Sequence, residues 1–265
     1  MWPLRFVSAS VLSLVLAALL PFGAAGQHFD LSHVDDEELV ERLIEVDDLR
    51  AEGDFRNAFT KLGGLENDYP EHAEVLWRLS ATIVNIAERQ DQGRRSLFEQ
   101  GLDAAKRAIE ADDTNGLAHF SRAMAEGRLA LDAGTREQIE RSRAVKHHAD
   151  RAIELDENNE IDGAYHARGQ WHREVASLGR VSRAVVRTVY GGLPDASFDE
   201  AVDDFLAAID IDDRILHRIE LARTYKMMDE PEKAREQLEI LLDMPSEEPD
   251  DESHKSEARE MLDDL

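Results

Sequence analysis

Hydrophobic residues along this chain keep helical spacing, and the pattern is clearest in the stretch Phe198–Asp213. Ala201, Phe205 and Ala208 fall there at i, i+4 and i+7, one stripe of an α-helix. Two alanines let a neighbouring helix approach, the ring between them fills the space, and the acidic pair Asp212 and Asp213 ends the run. The same ending recurs at Lys106–Asp113 and at Asp150–Glu157. Three copies of one helix ending predict a helical repeat protein.

Taken in order, the pattern predicts a series of helical hairpins. The first carries Leu39, Leu43, Val46 and Leu49 or Arg50, turns at Glu52–Asp54, and continues with Phe55, Ala58, Phe59, Leu62 and Leu65 until Tyr69 and Pro70, proline being a helix terminator. The second pairs Val75, Leu76, Leu79, Ile83 and Ile86 with Leu97, Leu102, Ala105 and Ile109 across a polar lengthening at Arg89–Ser96. The third runs from Leu117 to Leu131 and restarts at Thr135, where Thr135 and Gln138 are spaced for a capping box. The fourth starts near Ile161, has Trp171 and Val175 on its apolar side, and returns through a Ser197–Glu200 capping box after a long insertion, Ser177–Ala196. The fifth joins Ile215, Ile219, Ala222 and Tyr225 to Ala234, Leu238 and Leu241. An acidic linker, 246–251, then leads to an amphipathic helix, 252–265, that covers the last unit, as a solenoid requires.

The placing of the small residue Ala58 and the terminating Pro70 resembles the tetratricopeptide repeat (TPR). Four stretches are similar more specifically to the regulator of microtubule dynamics family: Leu76-Trp77-Arg78-Leu79, Lys106-Arg107-Ala108, Gly169-Gln170-Trp171 before an arginine-rich helix, and Gly191-Gly192-Leu193-Pro194. The likeness runs from Val75 to Leu262. It implies an all-α, TPR-like α-solenoid of about five helical hairpins with a C-terminal capping helix, and no enzymatic site. In some members it implies an N-terminal membrane segment and a part in microtubule association or organelle contacts.

The ends and the charge of the chain change that picture. Residues 1–26 hold a single charge, Arg5, an apolar run from Phe6 to Leu20, a break at Pro21 and the small residues Gly23–Gly26. This is the layout of a secretory signal, with cleavage expected after Ala25 or Gly26 and a mature helical-repeat domain of 27–265. The expected location is the periplasm or the cell exterior. Left uncleaved, the segment would anchor the chain at a membrane, although it is shorter than the about 20 residues a spanning helix needs. With 57 acidic and 31 basic residues the net charge is −26, which repels nucleic acid and excludes it as a partner. The export signal and this charge both oppose docking on an acidic cytoplasmic polymer, so the microtubule role is not carried over. Cysteine is absent, which removes disulfides, thiolate nucleophiles and cysteine zinc sites.

Two sets of residues are candidates for partner binding. Arg180, Arg183 and Arg187 fall at i, i+3 and i+7, and Val175–Pro194 contains no acid. Such a ridge either takes a carboxylate or phosphate bidentately or pairs with the chain's own acids. Counted from the apolar positions of each unit, Trp77, His166, Gln170, Arg173, Arg223 and Lys226 face the inner groove, where several cations suit an acidic protein or peptide. The lysine and asparagine set of carboxylate-clamp repeats is missing, since Leu43 and Asp47 occupy its places in the first unit.

Metal and catalytic readings find little support. His147 and His148 are adjacent, His166 and His172 are six apart, and neither pair has the i, i+4 spacing that holds zinc on a helix. Asp156–Glu160 begins like a calcium loop but has Ile161 where that loop needs glycine. No phosphate-binding glycine loop or nucleophile elbow is present. The expectation is therefore a non-enzymatic protein-interaction scaffold without cofactor or metal, exported, binding a partner segment in its concave groove. The alternative is a membrane-anchored organiser held by the N-terminal segment.

Overall fold

A computed structural model of the chain describes residues 29–248 and 250–265; the leader expected over residues 1–26 lies outside them. Among the described residues there are twelve helices and no strand: α1 (Glu37–Ala51), α2 (Phe55–Asp68), α3 (Ala73–Glu88), α4 (Arg94–Ala111), α5 (Gly116–Leu131), α6 (Thr135–Leu155), α7 (Asp162–Ser177), α8 (Arg180–Tyr190), α9 (Phe198–Ile211), α10 (Ile215–Met227), α11 (Pro231–Asp243) and α12 (Asp251–Asp263). Five hairpins result, α1–α2, α3–α4, α5–α6, α7–α9 and α10–α11. Helix α12 packs on α10 and α11, while α8 lies in the insertion between α7 and α9 and touches α6. First helices of successive hairpins pack on one another, α1 with α3, α3 with α5, α5 with α7 and α7 with α10, whereas the second helices of the first three hairpins meet through long side chains, Arg107 of α4 with Glu66 of α2 and Arg95 of α4 with Glu137 of α6. The stack therefore curves with its first helices on the inside.

Small residues set the helix spacing. Ala58, Ala108, Ala149, Ala152, Ala201, Ala208, Ala222 and Ala234 are wholly buried where helices cross, and Trp77, Trp171 and Phe205 fill the spaces between them. Close approach also explains Gly163, where a Cβ would overlap the Phe120 ring, and Gly169, whose Cβ position lies 3.1 Å from the Phe205 ring. Helix starts follow the capping rules: Asp36 accepts from the Leu39 N–H, Asp54 from Asn57, Asn115 from Ala118 and Ser197 from Glu200. The recurrent acidic endings work differently. An acid at a helix C-terminus opposes the macrodipole, but Asp112 turns its carboxylate onto the Thr114 N–H, and Asp156 onto those of Glu160 and Ile161, so each organises the turn into the next hairpin.

Three expectations need correction. The N-cap of α6 is Gly134, without a side-chain cap bond, and Thr135 is already helical. The Gln138 side chain reaches back instead to the Ala130 carbonyl. The lengthening expected at Arg89–Ser96 is only in part a loop, since α3 runs to Glu88 and α4 already starts at Arg94. Phe59 is 43% exposed on the outer side of α2, because the apolar stripe of that helix turns on Ala58, Leu62 and Leu65. Among the described residues no helix is long and apolar enough to cross a membrane.

Gly163→Ala should force the Phe120 ring to shift and destabilise the fold by about 1–3 kcal/mol in urea unfolding. Gly134→Ala, with open space around it, should change stability by less than about 0.5 kcal/mol; equal effects at both positions would remove close α5–α7 packing as the cause.

Candidate functional site

The inner row is held together by buried charges. Asp47 on α1 accepts from Arg78 on α3 through Nε at 3.0 Å and Nη2 at 2.7 Å, and from Arg50 Nη1 at 2.9 Å. Arg78 also donates to Glu74 one turn earlier, and its guanidinium lies 4.2 Å from the centre of the Trp77 ring. Glu74 gathers three further donors: Trp77 Nε1 at 2.9 Å, Asn115 Nδ2 from the start of α5, and His33 Nε2 at 3.3 Å. Asp47, Glu74 and Arg78 are all buried. Burial works against the Glu74 carboxylate, yet His33, Arg78 and Trp77 outweigh it and hold the group down at about 2.

The same device joins later units. Glu88 of α3 pairs with Arg128 of α5. Asp162 at the start of α7 accepts from Arg214 at 3.2 Å and from His217 Nε2 of α10 at 2.9 Å, while His217 Nδ1 meets His166 Nδ1 at 2.8 Å. Further along the same two helices, Arg173 of α7 pairs with Glu220 of α10. Arg223 of α10 shares Glu220 and reaches Glu257 of α12 through Nε at 2.9 Å, and Lys226 approaches Asp264 at 3.7 Å. These pairs link inner helices to their neighbours along the row.

This arrangement revises where the expected site residues stand. Trp77, His166, Gln170 and Arg173 do belong to inner helices, but all four are buried rather than displayed on an open groove. For Arg173 and His166 the physical reason is the stapling itself, a cation or imidazole on one helix turning sideways to a partner on its neighbour, while Trp77 donates to Glu74 of its own helix. Arg223 and Lys226 keep part of their surface, with side chains 28% and 39% exposed at the α12 end of the row. Asp47, Glu74, Arg78 and Glu220 were not singled out as a set by sequence reasoning. Their one visible signal was Asp47, an acid standing where a binding repeat would carry a neutral or cationic group.

The arginine ridge divides. Arg183 donates to the Leu178 carbonyl at 2.8 Å and to that of Ala176, closing the C-terminal end of α7, where a cation suits the helix dipole. Arg180 and Arg187 are exposed and form no ion pair among the described residues. Pairing of the ridge with the chain's own acids, one of its two readings, is therefore not found, because the partners of Arg183 are backbone carbonyls. A further arginine of this region, Arg143 on α6, donates to the carbonyls of Tyr190 and Gly192 and fixes the end of α8. Gly191 and Gly192 turn the chain there with φ of 80° and 86°, a conformation open to glycine.

Histidines serve packing. His119 and His148 meet through Nδ1 atoms at 2.9 Å with stacked rings, and His147 sets its ring edge-on to His148. Burial pushes His148 down to about 3 and lowers His119. Among the described residues no three metal-ligating side chains are gathered.

The family model described as "Regulator of microtubule dynamics protein 1-3" matches residues 43–265, a longer span than Val75–Leu262. Regulator of microtubule dynamics protein 3 of Xenopus laevis is 29% identical over 86% of this chain and 50% of its own length. Its counterpart in Mus musculus is 24% identical over 93% of this chain and 53% of its own. The chain thus spans about half the length of these curated relatives. Among solved structures, a thermophilic TPR protein of Thermus thermophilus superposes with a TM-score of 0.59 at 18% identity, covering 84% of this chain and 98% of that one. That likeness is one of fold.

Arg78→Ala should leave Asp47 with Arg50 alone and take from Glu74 its arginine partner, and cost about 3–5 kcal/mol in urea unfolding, whereas Lys226→Ala at an exposed pair should cost less than about 1 kcal/mol. Similar losses from both would show that the inner staples carry no special weight. Stability should also fall on acidification. Unfolding returns His148 to its ordinary value of 6.5 from about 3, so below pH 6.5 the unfolded chain binds a proton that the folded one refuses. Glu74 adds to the decline from 4.5 towards about 2. His33, raised by Glu74, acts above pH 6.5 and leaves the decline below it untouched, while Glu88, Glu174, Asp204 and Glu248, raised by burial, take up protons earlier in the folded chain and oppose it in part. Melting temperatures should drop steadily below pH 6.5 and drop less in His148→Asn; an unchanged slope in that variant would assign the decline elsewhere.

Proposed function

The chain belongs to the regulator of microtubule dynamics family, and from that premise we propose that it is a non-enzymatic scaffold that recognises a protein segment on the inner face of its stack. The observation that carries this reading is the continuous row α1, α3, α5, α7 and α10, fixed in register by charges that bridge α1 to α3, α3 to α5 and α7 to α10 and by the close fit of Gly163 on Phe120 between α5 and α7. A surface held rigid before binding loses little entropy when a partner arrives. Apolar contacts would supply affinity, and the cations at its α12 end, Arg223 and Lys226, would favour an acidic segment. Recognition alone is the mechanism, with no bond made or broken.

Microtubule regulation is what the relatives' names say of those proteins. For this chain we propose export, with residues 1–26 as the signal and 27–265 as the mature protein. A net charge of −26 would also set like charge against an acidic filament. The second reading, a membrane-anchored organiser, keeps the leader attached.

A photo-crosslinking side chain at Lys226 should capture a partner in the native compartment that the same side chain at the outer position Phe59 does not. Equal capture from both, or capture from the outer side alone, would overturn inner-face recognition. The mature N-terminus read from the purified protein separates the two locations: a start near Gln27 supports export, and an intact leader supports the anchor.

A further inference from the structure

Helix α8 is unlike the other helices of the stack. Only Val186 of its residues is buried, so its own fold uses one side of it. Val181, Ala184, Val185, Thr188 and Val189 fall at i, i+3, i+4, i+7 and i+8, the full stripe by which one helix packs on another. Most of that stripe is open to solvent: Val181 is 77% exposed and Val189 57%, the highest values among the large exposed apolar residues, Ala184 and Thr188 are exposed as well, and Val185 is half-buried. A free helix of this length is marginal in water, and here it is pinned at its ends, by Arg183 onto α7 and by Arg143 of α6 onto Tyr190 and Gly192.

Charge singles out the same helix. Within α8 and its flanks, Val175 to Pro194, no acid occurs in a chain that carries 57 of them. Arg180 and Arg187 flank one edge of the stripe, each one residue before a seam position, Val181 and Thr188. This is the layout of a coiled-coil half-interface, with small and branched residues in the seam and cations beside it that meet acids on the facing helix.

We propose that α8 is a docking helix for an acidic amphipathic helix of a partner protein, separate from the inner face of the stack. Ala184 in the middle of the seam lets the partner backbone come close. Val181, Val185 and Val189 cover its apolar stripe, and Arg180 and Arg187 take its flanking carboxylates. A bilayer fits this surface less well. The seam offers valine, alanine and threonine without the tryptophan, phenylalanine or leucine that seat helices among head groups, and a charge of −26 faces an anionic membrane over a broad plane. A single helix covers a narrower strip of this surface, in which Arg180 and Arg187 are exposed.

The test uses the purified protein and a fluorescent designed helix with leucine in its seam and glutamate on its flanks, whose like charges keep it from pairing with itself. The peptide should bind, and Arg180→Glu with Arg187→Glu should weaken binding by about tenfold or more, a difference of about 1.4 kcal/mol. A peptide with lysine in place of glutamate should bind the double variant better than the original protein. Val181→Asp, at the most exposed position, should weaken the glutamate peptide with no loss of melting temperature. Failure of the peptide to bind, equal binding to all variants, or recovery absent with the lysine peptide would overturn the proposal. So would two other results: capture by phosphatidylglycerol vesicles that the double variant abolishes while the peptide stays unbound, which assigns the patch to membranes, or a halved light-scattering mass in the double variant, which assigns it to a second copy of the chain.

Discussion

The structure depends on one buried guanidinium. Arg78 sits wholly out of water between Asp47 of the preceding inner helix and Glu74 of its own, and a charge in that position is tolerable only because two carboxylates and an aromatic face surround it. Arg50 balances the second acid from the Asp47 side, and Asn115, Trp77 and His33 donate to Glu74. The first three units are therefore registered by a network in which no member can move alone. Close packing sets the spacing of the inner helices, and charge pairs of fixed geometry add a directional constraint on their register.

How this was visible in the sequence differs from layer to layer. The hairpins were legible because alanine, leucine and proline positions obey local rules, and α9, with Ala201, Phe205 and Ala208 all fully buried, matches its pattern residue by residue. The inner face was read from the same helical phase, which gives the direction of a side chain but not its neighbour. Arg173 and Glu220 are separated by a long insertion and a whole outer helix, and no local rule couples them. Arg173 was consequently assigned to a partner when its acid lay on the adjacent helix. Capping suffered a smaller version of the same problem: Thr135 and Gln138 have box spacing, but the chain enters α6 one residue early through Gly134.

The insertion between α7 and α9 shows what a stack permits. Hairpin α7–α9 closes across α8 with Gly169 still tight against Phe205 and Arg168 still bonded to Asp204 at 2.6 Å. Lengthening a surface connection costs little once its ends are fixed, so this unit keeps its packing while carrying an extra helix outward. The outer layer can therefore vary without disturbing the inner one.

The lead segment before α1 has a bearing on how the chain is made. Phe29 packs edge-on to Trp77, His33 reaches Glu74, and the Asp30 N–H approaches Glu160 at 3.4 Å, a separation of 130 residues along the chain. Ribosomes deliver proteins from the N-terminus, so Asp30 is synthesised long before Glu160 exists. The later hairpins can close one after another as they emerge, but this strap can reach its final place only once α6 has been completed. The first described residues to appear are thus among the last to settle.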